Sequence, residues 1–274
     1  MADSRARPLA IPGQFPAIGQ SLGIDHNAGR LSSFWRTHAL WPLGALALVF
    51  ILIEALGLDL KVTNALFYDH VTRQWLGAGA GDWWAHRLLH DDGRWVVRGV
   101  AALALGAWCL TFFVPSIRHW RRSAGFIVIA MAASTLLVGG LKLVTNVDCP
   151  WDLSEYGGAH PYFPLFSDRP DYLPRAQCFP GAHSSSAFAL VCFYFVLRER
   201  RPRLAWLALG VACLAGTAFA VGQEARGAHF LSHDLASAML VWAIQLYLYA
   251  RVLGLPAVPA AVSPAAGAAA ASQA

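Results

Sequence analysis

Apolar positions in this chain run in blocks rather than in stripes. Six stretches, roughly 39–58, 95–115, 124–144, 183–198, 203–222 and 232–253, are apolar at nearly every position and approach the ~20 residues a helix needs to cross a bilayer. A helix that is apolar all round has lipid or protein on every side, so the pattern predicts an all-α integral membrane protein of six transmembrane helices packed as a bundle. The fourth stretch is short, and its polar start at His183 has to be shielded by protein.

Between the first two blocks, residues 59–94 mix acids with Phe67, Tyr68, Trp75, Trp83, Trp84, His86 and His90. Tryptophans in such a mixture favour the headgroup level, which predicts one or two short interfacial helices on the outer side. The chain therefore divides into a polar N-terminal segment (1–38), a membrane domain (39–253) and a tail (254–274) rich in Ala and Pro that is expected to be disordered. No cleavable signal sequence is read in the polar start, and no internal repeat stands out.

Composition agrees with the pattern. Of 274 residues, 57% are hydrophobic and 14% charged, against about 25% charged in a soluble domain, and the mean hydropathy is +0.46. The net charge of +5 does not point to nucleic acid. Its arginines concentrate in two short loops, Arg118, Arg121 and Arg122 in one and Arg198, Arg200, Arg201 and Arg203 in the other. Positive loops stay in the cytoplasm, so both loops and both termini are expected there, in a compact chain suited to a bacterial inner membrane.

With that orientation three polar clusters share the outer side. Lys142 ends the third block, Cys178-Phe-Pro-Gly-Ala-His183-Ser-Ser-Ser186 opens the fourth, and Arg226-Gly-Ala-His229-Phe-Leu-Ser-His233-Asp234 joins the fifth to the sixth. Titratable groups at the edge of a bilayer are costly to keep there and mark a functional site by default. Cations, imidazoles and small residues together suit an anion. Cys109, Cys192 and Cys213 fall inside apolar blocks and are read as small hydrophobes, while Cys149 and Cys178 lie in the long outer loop. Those two pair if the loop faces an oxidising compartment and stay reduced if it does not.

The three clusters, in this order, resemble the type-2 phosphatidic acid phosphatase family, the membrane branch of a superfamily that includes soluble vanadium-dependent haloperoxidases. The family pattern is a lysine, six residues, then Arg-Pro; then Pro-Ser-Gly-His; then Ser-Arg, five residues, His, three residues, Asp. Here Lys142 and Pro150 match the first part, with Cys149 in place of arginine. Pro180 and His183 match the second, with Gly181 and Ala182 between them. His229 matches the third, where Gln223 replaces the arginine and His233 stands in the place of Asp, with Asp234 one residue further on. The resemblance covers roughly residues 95–250.

The resemblance implies that His229 attacks phosphorus, that His183 protonates the leaving group, and that neither metal nor cofactor takes part. A nucleophilic imidazole needs its other nitrogen held, a task for Asp234 or His233. Lys142, Arg226, Gly181, Ala182 and Ser184 are the expected phosphate contacts. If 226–234 is helical, Arg226, His229 and His233 share one face, and Arg175 is a further cation that can fill the space left at Cys149. Other readings of the same residues are a helix cap made by the serines after His183, and a metal held by His229 and His233.

The expected partners are the bilayer and a lipid phosphate or diphosphate: an isoprenyl diphosphate, phosphatidylglycerol phosphate, phosphatidic acid or a lipid A phosphate. A lipid phosphotransferase would use the same residues, and a transporter or anion-binding scaffold is the alternative from another class. Oligomeric state and headgroup are not legible in the sequence.

Overall fold

The computed structural model describes residues 31–255. The expected disordered tail from 256 onward, and the polar N-terminal segment up to residue 30, lie outside the described residues. Among the described residues, five helices are long and apolar enough to cross a membrane: Leu31–Leu56, Gly79–Phe113, Pro115–Asp152, Pro202–Ala225 and Leu231–Leu253. The sixth expected span is the shorter apolar helix Ala182–Leu197, which by helical rise covers about 24 Å against a hydrocarbon core of about 30 Å.

The regular elements are α1 (Trp41–Leu56), α2 (Leu58–Val62), β1 (Tyr68–Asp69), β2 (Gln74–Trp75), α3 (Trp83–Asp92), α4 (Gly93–Phe113), α5 (Arg121–Thr145), α6 (Ala182–Phe188), α7 (Cys192–Leu197), α8 (Pro202–Ala225) and α9 (Leu231–Leu248). The region 59–94 differs from a plain pair of short helices. Tyr68 pairs with Trp75 and Asp69 with Gln74 in a minimal antiparallel hairpin, and α3 runs directly into α4. Tyr68 packs edge to face on Trp75 and Tyr156, and Trp75 lies tilted against Tyr156 (ring centroids 4.9–5.0 Å), an aromatic cluster that holds the hairpin.

Helix α9 is central and packs against α1, α5 and α6. Its fully buried Gln245 donates to the Ala189 carbonyl (2.8 Å) at the tightened turn between α6 and α7. The start of α9 is held from a distance: Asp59 of α2 accepts from the Ser232 backbone N–H (2.9 Å) and hydroxyl (2.5 Å). Such a cap supplies a carboxylate to orphan N–H groups and to the positive end of the helix. Burial raises the Asp59 pKa, and the Ser232 hydrogen bonds oppose that rise. Glu54 of α1, isolated in its apolar block, lines a cavity of about 20 Å³ with Asp59, Tyr162, Ser232 and His233. That volume suits about one water molecule.

The long loop after α5 is tied down at several points. Asp148 takes two hydrogen bonds from Arg169 (2.7 and 2.9 Å) and one from His160 (2.7 Å). Cys149 and Cys178 form a disulfide, the Trp151 N–H donates to the Gly227 carbonyl (2.9 Å), and the Thr145 hydroxyl donates to the Phe179 carbonyl. These ties place Cys149, Trp151, Gln177 and Cys178 on the wall of a cavity of about 760 Å³.

Candidate active site

Helix α8 ends at Ala225, and 226–230 is a turn with Gly227 at φ +73°, so the expected helical face joining Arg226, His229 and His233 does not form. The turn carries His229 to the cavity and lets the first turn of α9 present Asp234 beneath it. His229 Nδ1 lies 2.7 Å from Asp234 Oδ1, and both side chains are buried. An ionised Asp234 can only accept, so Nδ1 carries the proton and Nε2 keeps its lone pair. Ser184 donates to the same carboxylate oxygen at 2.5 Å. Asp234, rather than His233, is the group against His229. The extra residue relative to the family spacing is absorbed because the turn is not helical.

His233 is buried between Phe179 and Phe230, with ring centroids 5.5 Å from each, and its Nδ1 has no hydrogen-bond partner. It lines the small cavity beside Glu54 and Asp59 rather than the cavity His229 lines, and among the described residues the two rings are not part of a three-ligand cluster. Among the described residues, the cluster that brings potential ligand atoms within 4.8 Å of one another is His86, His90 and Asp91. There Asp91 already accepts from His90 (3.0 Å) and Arg94 (3.4 Å).

Gly181 makes the His–Asp pair possible. A Cβ at this position would lie 2.3 Å from Asp234 Oδ1 and 2.9 Å from His229 Nδ1, so no larger residue fits. The serines after His183 do not cap the helix. Their hydroxyls donate to carbonyls three residues back, Ser185 to Ala182 (2.7 Å) and Ser186 to His183 (2.6 Å). Ser184, expected at the phosphate, is fully buried and spends its hydroxyl on Asp234 and the Gly181 carbonyl.

His183, Ala182, Lys142 and His229 line one cavity of about 760 Å³. The His183 ring stacks on Phe219 (4.5 Å, 11°), and its Nε2 lies 3.1 Å from the Leu89 carbonyl, leaving Nδ1 for a proton donated elsewhere. Lys142 has no hydrogen-bond or ion-pair partner among the described residues. Away from these groups the cavity becomes an apolar cleft between α4 (Val97, Ala101, Ala102, Leu105) and α5 (Val128, Met131, Ala132, Thr135).

Two expected cations do not line it. Arg175 is exposed and donates to the Leu143 carbonyl (2.6 Å), capping the end of α5, while the disulfide fills the place at Cys149. Arg226 caps α8, where its guanidinium contacts Gln223 Oε1 (3.3 Å). Burial lowers the Arg226 pKa, and Asp91 and Asp82 counter it. Gln223, Arg94 and Arg98 are among the cavity residues that the motifs do not point to. Gln223 turns its oxygen to Arg226 and leaves a buried Nε2 with no partner. Arg94 and Arg98 enter from α4. A family position occupied by Gln223 and a helical repeat at 94 and 98 were the available signals.

A helical membrane protein whose buried histidine, backed by a carboxylate, opens on a cation-lined cavity belongs to the anion-handling membrane enzymes in form. Residues 123–255 match the family model of the PAP2 superfamily, which supports a type-2 phosphatidic acid phosphatase assignment for that region. The match implies phosphatase-type activity on phosphate esters. No curated protein and no solved structure matches the chain.

Proposed function

We propose that the protein is a membrane-embedded lipid phosphatase that releases phosphate from a lipid phosphate or diphosphate through a phosphohistidine on His229. One observation carries the reading: the buried Ser184–Asp234–His229 chain ends at a cavity that is cationic at that end and apolar along α4 and α5. A polar head and a hydrocarbon tail fit the two ends of such a space.

The steps use the chain's own groups. His229 Nε2 attacks phosphorus as the bond from phosphorus to the leaving oxygen breaks. Asp234 holds the Nδ1 proton and stabilises the positive ring. His183, protonated, gives its proton to the leaving oxygen. A water molecule then attacks the phosphohistidine, the P–N bond breaks, inorganic phosphate leaves, and the water's proton returns to His183. Lys142 and the Gln223 amide offset charge on the non-bridging oxygens, where transition-state stabilisation is largest. Ala182 is small enough to let phosphate approach. The arginine-rich loops support a site on the outer side of a bacterial inner membrane with cytoplasmic termini.

The test is inorganic phosphate released from a panel of lipid phosphates and diphosphates by detergent-purified protein, beside His229→Ala. Release that is lost in the variant supports the reading, and the panel ranks the lipids. Label passed from substrate to a second lipid, without free phosphate, would make it a phosphotransferase. No turnover by folded wild type would overturn both.

A further inference from the structure

The two arginines expected from the family pattern are missing, yet the charge on a phosphate does not change. Helix α4 brings cations to the same cavity. Arg94, Val97, Arg98, Ala101, Ala102 and Leu105 recur at spacings of three and four residues, so one stripe of α4 faces the cavity. The facing stripe of α5 runs from Lys142 to Val128, about 21 Å by helical rise. The two stripes meet where Trp108 lies against Gly125, where a Cβ would stand 2.9 Å from the indole nitrogen.

The arginines are under-partnered for their setting. Arg94 Nε is buried without a hydrogen-bond partner, and its one ion pair, to Asp91, is long at 3.4 Å. Arg98 rests on the Trp95 ring (5.0 Å) and has no carboxylate partner among the described residues. An arginine on a spanning helix is costly unless an anion or water meets it. Position supplies the rest. His90, at the end of α3, lies 4.8 Å from the His183 ring, Arg94 follows one turn later, Arg98 one turn after that, and the apolar stripe comes next.

Resting on the phosphatase reading, we propose that Arg94 and Arg98 form a second anion subsite that takes the inner phosphate of a lipid diphosphate. The terminal phosphate then lies at His229 and Lys142, and the hydrocarbon chain enters the cleft between α4 and α5. The order of groups along α4 matches the order of groups in that substrate. The bond broken joins the terminal phosphorus to the bridging oxygen, and the product left on the arginines is a lipid monophosphate. That leaving group departs as an anion paired with two guanidinium groups, so it depends less on a proton from His183 than an alkoxide does.

The experiment compares kcat/KM for a prenyl diphosphate and a prenyl monophosphate of equal chain length, in phospholipid-free detergent. Wild type, Arg94→Gln, Arg98→Gln and the two lysine variants are measured, with thermal unfolding of each as a folding check. The ratio of diphosphate to monophosphate kcat/KM falls at least about tenfold in each glutamine variant, the value of a charge-assisted hydrogen bond, and the lysine variants restore part of it. A ratio unmoved in folded variants overturns the subsite, as it would if the arginines held a bilayer phospholipid instead. If wild type hydrolyses neither prenyl lipid, the lipid panel decides the phosphatase reading and calorimetric titration decides the subsite. Pyrophosphate bound about tenfold tighter than orthophosphate, and lost in the glutamine variants, keeps it; equal binding removes it.

Discussion

Gly181→Ala is the sharpest probe of the His229–Asp234 pair, because the backbone gives alanine no difficulty and space alone decides. Gly181 has φ −68° and ψ 102°, within the region open to any L-residue. The new methyl carbon would stand 2.3 Å from Asp234 Oδ1, where a carbon and an oxygen need about 3.3 Å. Asp234 must therefore withdraw by about 1 Å. It is held by Ser184 and by its place in the first turn of α9, so the retreat stretches the 2.7 Å bond to His229 beyond hydrogen-bond range. Misplacement on that scale costs about 10²-fold in rate, and overpacking costs about 1–3 kcal/mol of stability.

The assay is initial-rate phosphate release at saturating lipid, with the thermal midpoint measured on the same preparation. Gly210→Ala, where an added Cβ meets nothing within 4 Å, is the control for adding a methyl group to the protein. A Gly181→Ala enzyme within about threefold of wild type, with an unmoved midpoint, would refute the claim that this glycine makes room for the pair.

Asp234→Asn should lower turnover by about 10³–10⁴ with little change in KM, because an amide donor can turn the His229 proton onto Nε2; full activity would remove Asp234 from its role. Ser184→Ala should cost about tenfold, since one of two donors to Asp234 remains, and a loss as deep as that of Asp234→Asn would contradict the order of the chain. Cys149→Ser opens a loop with a sequence separation of 29, worth roughly 3–4 kcal/mol in the chain-entropy account; a thermal midpoint unaffected by this change would refute that value. Asp59 has a raised folded pKa, so its contribution to stability is fully present below the unfolded pKa and is lost as pH rises through the folded one. Wild type should lose stability relative to Asp59→Asn as pH rises from about 4 towards neutrality, measured as the difference in thermal midpoint; a difference that stays constant or grows in wild type's favour would contradict the sign.

Lys142, His183 and His229 were legible because each stands at the polar end of an apolar block, a contrast a linear sequence displays directly. What places a carboxylate under His229 is not linear. Choosing Asp234 over His233 depends on 226–230 being a turn, and the shared face of Arg226, His229 and His233 holds only if that segment is helical, which it is not. Ser184 looked like a phosphate ligand or a cap because its neighbours are serines, and only the packing of α6 on α9 sends its hydroxyl to Asp234. Arg175 is close to the site in sequence, but the disulfide fills the wall it was expected to reach, and the open carbonyl of Leu143 holds it elsewhere. Asp59, Arg94 and Arg98 lie outside the matched region 123–255, where no motif draws attention to a charge.

The departures from the family pattern therefore share one physical cause. A phosphate site needs a fixed amount of positive potential and a fixed set of donors, and neither has to come from a particular point in the chain. At residue 149 the chain gives up a cation for a covalent tie that fastens the outer loop to the cavity wall. At residue 223 it keeps a donor but gives up the charge, and its oxygen holds Arg226 at the end of α8. The lysine and arginine side chains that line the cavity are Lys142 on α5 and Arg94 and Arg98 on α4. If the charge is restored, α4 is where the cavity's remaining arginines stand. On that argument the three familiar motifs specify the attacking group and its proton, and the helix before them specifies how much anionic substrate the site can hold.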